Sequence, residues 1–224
     1  MNQPGERMSE ELPGEIPIFP LTGVLLLPHG RLPLNIFEPR YLAMVEDAIK
    51  GPRVIGMVQP QEADSEARVA EPEVYRVGCA GRITMFRETS DGRYEIVLDG
   101  VSRFEIARET GLRRGYRMAA VQFENFAGDA APMDDEVLDP MLRAKLLVGL
   151  EQFLTGRGAS LNGTGIAELP DRELIAAISM SCPFGPGEKQ ALLEAETPGD
   201  AAALLVALLE MASFEETGAP VSRQ

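Results

Sequence analysis

The 224 residues carry 35 acidic and 21 basic side chains, a net charge of −14, and the basic side is nearly all arginine. A field of that sign repels phosphate backbones and puts nucleic-acid binding at a disadvantage. Two distant cysteines outside any CxxC motif, an N-terminus without an apolar h-region and apolar runs too short for a bilayer of ~30 Å point to a reducing, cytoplasmic setting with no membrane span. The length suits one large domain or two modest ones.

Residues 1–14 are polar and read as a disordered tail. From 15 to 126 the pattern is mostly strand. "IPIFP", "VLLLP" and "RLPLNI" are short apolar runs punctuated by proline, which suits edge or barrel strands. A single helix interrupts them. Pro39 stands at its first turn, Leu42, Val45 and Ile49 form an apolar stripe, Glu46 and Lys50 an i,i+4 pair, and Gly51-Pro52 the stop. "RVIGMVQ" returns to strand, and the polar segment 60–73 reads as an exposed loop. "VGCAGRITMFRE", "YEIVLDG", "VSRFEIARE" and "YRMAAVQFEN" follow as strands, with hairpin signals at Asp91-Gly92 and in "TGLRRG". Several strands, one helix and tight turns predict a closed or partly closed barrel.

After residue 126 the period changes to that of helices. Leu138, Leu142, Leu146 and Leu150, with Met141 and Phe153 beside them, predict an amphipathic helix ending at Gly156. A Gly-rich loop, "DRELIAAISMS" and "GEKQALLEA" come next. The last helix opens on Thr197, Pro198 and Asp200, a near capping box, and buries Leu204, Leu205, Leu208 and Leu209. The expected organisation is therefore α+β: a β-rich part over 15–126, a helical part over 127–214 and a disordered tail over 215–224.

Motifs for chemistry are scarce. The one histidine, His29, reads as a turn residue rather than a base or metal ligand, and the cysteines add no ligand cluster, so neither metal nor cofactor is expected. "GPGEKQ" around Lys189 lacks the order and the Ser/Thr of a phosphate-binding loop, and no GxSxG elbow occurs. The chain reads as a non-enzyme. Ten methionines fit adaptable apolar contacts, though Met57, Met85, Met118, Met141 and Met180 read first as core fillers.

"IPIFPLTGVLLLPHGRLPLNIFEPRYLAMVEDAI", "YRVGCAGRI", "DGRYEIVLDGVSRFEI" and "CPFGPGEKQALLEAETPGDAAALLVALLE" together resemble the N-terminal, substrate-binding domain of Lon proteases, with "LNIFEPRY" similar to the form in stand-alone bacterial relatives. The resemblance spans about Gly14 to Met211. It implies a six-stranded PUA-like pseudo-barrel followed by a C-terminal helical bundle. It also implies a module that holds unfolded or tagged polypeptide, as an adaptor or modulator of proteolysis, with a protease as a further partner. The ATPase and Ser–Lys peptidase modules of full-length Lon find no positions in the sequence, so the catalytic residues have nowhere to be carried.

Within "PLNIFEPRY", Glu38 is expected to accept backbone N–H groups at the helix start, and Arg40 to pair with a distant carboxylate and pin helix to barrel. Phe37 and Tyr41 pack at the same hinge. Contact of Phe37, Arg40 or Tyr41 with a bound polypeptide is the functional alternative at these positions. For the whole chain, RNA binding on the PUA-like barrel is the alternative to polypeptide binding, and a small-molecule pocket between barrel and helices is a third possibility.

Overall fold

The computed structural model describes residues 12–61, 72–130, 138–161 and 163–217. The expectations for most of both tails and of the polar loop lie outside these residues. Six strands form one mixed sheet: β1 (Glu15–Pro20), β2 (Arg31–Ile36), β3 (Val54–Val58), β4 (Val77–Glu88), β5 (Tyr94–Arg113) and β6 (Tyr116–Gln122). Their order is β2-β5-β4-β3-β1-β6, and β6 also pairs with β5, which closes five strands into a ring with β2 added outside it. Only β1–β3 is parallel, as Ile18 lies opposite Gly56, and its crossover contains β2 and helix α1 (Pro39–Lys50).

Alternation along the strands sorts side chains between two cores. Ile16 and Ile18, Val54 and Val58, Ala80, Phe104, Ile106, Ala119 and Val121 fill the inside of the ring. Phe104 is fully buried there and takes the space that Gly56 and Gly78 leave open. A Cβ on Gly78 would stand 2.5 Å from the Phe104 ring. Ile55, Met57, Cys79, Ile83 and Met118 face outward into a larger core shared with the helices.

"VLLLP" does not form the expected strand: no ladder runs through 21–30. Leu25, Leu26 and Leu27 are all buried in succession, which a one-sided strand does not allow. The segment instead crosses the sheet where glycines leave it bare. Leu26 covers Gly81, and a Cβ on Gly100 would stand 1.9 Å from the Leu27 carbonyl oxygen. The two strands expected around Gly100 are one, β5, whose register shifts opposite Ala80/Gly81 instead of breaking. The last hairpin turns at Arg114 and Gly115, with φ of 49° and 88°, so "TGLR" belongs to the strand.

Helix α1 starts and stops where proline and Gly51 predict. Its buried face is Tyr41, Met44, Val45 and Ala48, with Leu42 and Ile49 only half-buried. The Glu46 carboxylate accepts from Arg114 and from the Tyr94 hydroxyl, and the charge of Lys50 adds to theirs. Helices α2 (Pro140–Gly156), α3 (Asp171–Ser181) and α4 (Pro186–Glu194) gather against α5 (Pro198–Thr217). The Asp139 carboxylate caps α2, and Thr197 and Asp200 exchange the two bonds of a capping box at α5.

α4 is tied to the sheet and to the turn after β1 by polar side chains. Lys189 Nζ donates to the Gly23 carbonyl at 2.8 Å and Gln190 Nε2 to that of Val77 at 3.1 Å. From the sheet, Arg103 donates to the Leu193 and Ala195 carbonyls. Met57 and Met118 are buried as expected, but Met85 and Met141 are exposed, because each points from the outer side of its strand or helix.

Candidate functional site

At one end of the ring, the first turn of α1, the β5–β6 hairpin and the base of the polar loop surround a groove of about 290 Å³. Pro20, Pro60 and Pro72 form walls that offer no backbone N–H, and Leu112 stands 58% exposed at its rim. The loop base is held shut by backbone bonds from Gln61 N–H to the Glu73 carbonyl and from Tyr75 N–H to that of Gln59, both 2.9 Å.

Arg40 and Tyr41 both line this groove. The Tyr41 ring is buried against Phe19, centroid to centroid 4.1 Å, and burial raises its pKa. The Arg40 guanidinium lies over that ring, 4.6 Å from its centroid. Arg40 Nε and Nη2 donate to the Glu38 carboxylate at 3.0 and 2.9 Å. This corrects the expectation for Glu38, which makes no side-chain cap to the helix and accepts instead from Arg40, two residues on. A charge-assisted bond to a guanidinium outweighs one to a backbone amide, and Pro39 at N1 has no amide to offer.

Other residues join helix α1 to the sheet. Arg114, in the left-handed turn, donates to the Asp47 carboxylate at 2.7 Å and to Glu46 at 2.9 Å, and the Tyr116 hydroxyl donates to Asp47 at 2.8 Å. Burial pulls the Asp47 pKa upward, but the bonds from Tyr116 and Arg114 outweigh it and hold the carboxyl below its ordinary value. Burial, then the bond to Asp47, pushes the Tyr116 phenol up to about 12. Arg117 in turn pairs with Glu109 and donates to the Pro72 carbonyl. The basic cluster of "GLRRGYR" thus meets carboxylates at Arg114 and Arg117.

Phe37 is not in the groove. It is 61% exposed and lies under the Arg93 guanidinium, 5.8 Å away, beside the β4–β5 hairpin. Two of the three predicted residues are therefore brought together and the third is set apart. The sequence reading missed the three prolines and Leu112. Prolines at both ends of a polar segment, and a leucine isolated in an arginine-rich turn, were the available signals. The groove lining holds no histidine, cysteine or serine among the described residues, and its mix of prolines, leucines and the guanidiniums of Arg40 and Arg117 suits binding. Among the described residues no group of three His, Cys, Asp or Glu side chains is placed to hold a metal, and no helix is long and apolar enough to cross a membrane.

A family model described as the ATP-dependent protease La (LON) substrate-binding domain matches residues 15–211. Lon protease 2 of Myxococcus xanthus is 31% identical over 106 residues, covering 47% of this chain and 13% of that protein. The Lon protease of Elusimicrobium minutum is 27% identical over 221 residues, covering 92% of this chain and 25% of that protein. The chain thus spans a quarter or less of the length of these curated relatives. The fold is similar to that of a Lon N-terminal domain protein from Xanthomonas campestris, with a TM-score of 0.61 at 23% identity over 86% of this chain and 97% of that one. It is also similar to the N-terminal domain of a Mycobacterium avium complex Lon protease, with a TM-score of 0.63 at 16% identity over 88% and 98%.

Proposed function

The chain belongs to the family of Lon substrate-binding domains, and from that premise we propose that it is a non-catalytic module that holds unfolded or tagged polypeptides through the groove at Arg40 and Tyr41. The observation that carries this reading is the meeting of those two side chains with three prolines and an exposed leucine in one concavity. An extended chain offers apolar side chains to such walls and a carboxylate or carbonyl to a guanidinium. Phe37 adds an apolar contact beyond the groove.

In this reading the closed sheet is a PUA-like pseudo-barrel over 15–126, the helices form a bundle over 127–214, and the protein works in the cytoplasm as an adaptor or modulator of proteolysis. It needs no cofactor and breaks no bond. The test is the binding of a fluorescently labelled, permanently unfolded polypeptide by the wild-type chain and by Arg40→Ser and Leu112→Ser variants. Saturable binding weakened about tenfold in each variant, with the labelled chain left intact, is the expected result. Equal binding by all three proteins, or cleavage of the label, overturns the reading.

A further inference from the structure

The groove wall formed by Pro20, Leu21 and Thr22 runs directly into the turn Leu21–Val24. The Val24 N–H closes that turn on the Leu21 carbonyl at 3.4 Å, a long bond. Gly23 supplies the positive φ, 73°, that the third position of a type II turn requires. The next turn along the chain is closed differently. His29 stands there with a φ of 64°, a left-handed conformation unfavourable for a residue with a Cβ. Backbone bonds hold it, from His29 N–H to the Gly100 carbonyl, Gly30 N–H to that of Leu27, and Gly100 N–H to that of Gly30, at 2.8 to 3.0 Å.

At Gly23 two side chains take that part. The Gly23 carbonyl accepts from Lys189 Nζ at 2.8 Å, and its N–H donates to Gln59 Oε1 at 3.3 Å. Gln59 Nε2 donates in turn to the Pro186 carbonyl at 3.2 Å. Lys189 and Pro186 belong to α4, and Gln59 follows the last residue of β3. The turn is thus clamped between a helix and the end of a strand.

Both clamping residues are buried, Lys189 at 6% exposure and Gln59 at 2%. A buried ammonium loses its hydration, and burial lowers the Lys189 pKa. Among the described residues its hydrogen-bond partner is a carbonyl, not a carboxylate, so the Coulombic attraction that offsets burial in an ion pair is missing. An apolar side chain would join α4 to the core without that penalty, as Leu192 and Leu193 do. What the lysine adds is a hold on one carbonyl, next in the chain to the groove wall.

We propose that Lys189 and Gln59 are positioning residues for the groove: by fixing the Gly23 peptide from α4 and from the end of β3, they set the Leu21–Thr22 wall against which a polypeptide is held. The inference rests on the groove being the binding site. Its test sets binding of the labelled unfolded polypeptide beside urea unfolding for Lys189→Met, which keeps the apolar stem, for Gln59→Leu, and for the two combined. The changes release opposite sides of one peptide, so either single variant that folds carries the test. Each is expected to weaken binding about fivefold, as for loss of one hydrogen bond. The double variant is expected to lose no more than the larger single loss, because both changes act through the same peptide. A purely structural role predicts lower urea midpoints with binding by the folded chain unchanged, and that result overturns the inference. A double loss equal to the product of the single ones overturns it as well. Leu112→Ser and Arg40→Ser, which leave the turn untouched, keep the two claims apart. If they weaken binding while the Lys189 and Gln59 variants bind as the wild type does, this inference fails and the groove stands. If they bind as the wild type does, the groove reading fails and this inference with it.

Discussion

Asp47 joins α1 to the ring through two donors, the Tyr116 hydroxyl and Arg114. Tyr116→Phe removes one of them while keeping the buried ring, and it should lower the unfolding free energy by about 1 kcal/mol in urea titrations. Because the Asp47 pKa is lowered in the folded chain, its stabilisation is present above the ordinary value of 3.8 and is lost as pH falls through the range below it. His29 acts nearer neutrality. Its folded pKa is also lowered, so the unfolded chain takes up the proton first as pH drops through about 6.5. Stability should therefore decline on acidification from pH 7.5 to pH 5.5, and His29→Asn, which tolerates the left-handed turn, should flatten that slope. Identical slopes in the two proteins would contradict this role. A turn histidine was legible in "LLPHG", but its depth was not. The Leu27–Gly100 approach that buries it joins residues more than seventy positions apart. Glu38 shows the converse: its carboxylate was expected to cap backbone amides and instead accepts from Arg40, two residues on.

Elements were legible where one signal sufficed. Pro39 and Gly51 bound α1, and the reciprocal bonds of Thr197 and Asp200 open α5 as their spacing predicts. Thr197→Ala should cost about 1 kcal/mol, read as a lower thermal midpoint. "VLLLP" misled because three buried leucines in a row look the same in a two-sided strand and in a segment laid across a sheet. What separates these cases is the run of glycines on the surface beneath, far away in sequence. The inside of the ring depends on the same device. Gly78→Ala would press a methyl group against Phe104 and the Met57 carbonyl, and should destabilise by about 1–3 kcal/mol. A fully tolerated Gly78→Ala would mean that the ring interior is looser than its packing implies.

For the whole molecule, the change of period near residue 126 foretold a sheet followed by helices. Closure of the ring was only partly foreseen, because it depends on β5 being 20 residues long, pairing with both β2 and β4 over Tyr94–Asp99 and with β6 over Glu105–Arg113. No local pattern encodes a strand shared by three partners. The groove inherits that difficulty, since its walls come from β1, α1, the loop base and the β5–β6 hairpin. Arg114 and Arg117 are paired with carboxylates, so the proposed contact with an extended chain is assigned to Arg40 and to the apolar Leu112 and prolines. The most direct measurement is amide hydrogen exchange of the full chain with and without a saturating unfolded polypeptide. Binding through the groove predicts new protection at Leu21–Thr22, Arg40–Tyr41 and Leu112–Arg117, with the α2 and α5 amides unchanged. Protection confined to the helices, or none at all under saturating binding, would contradict it.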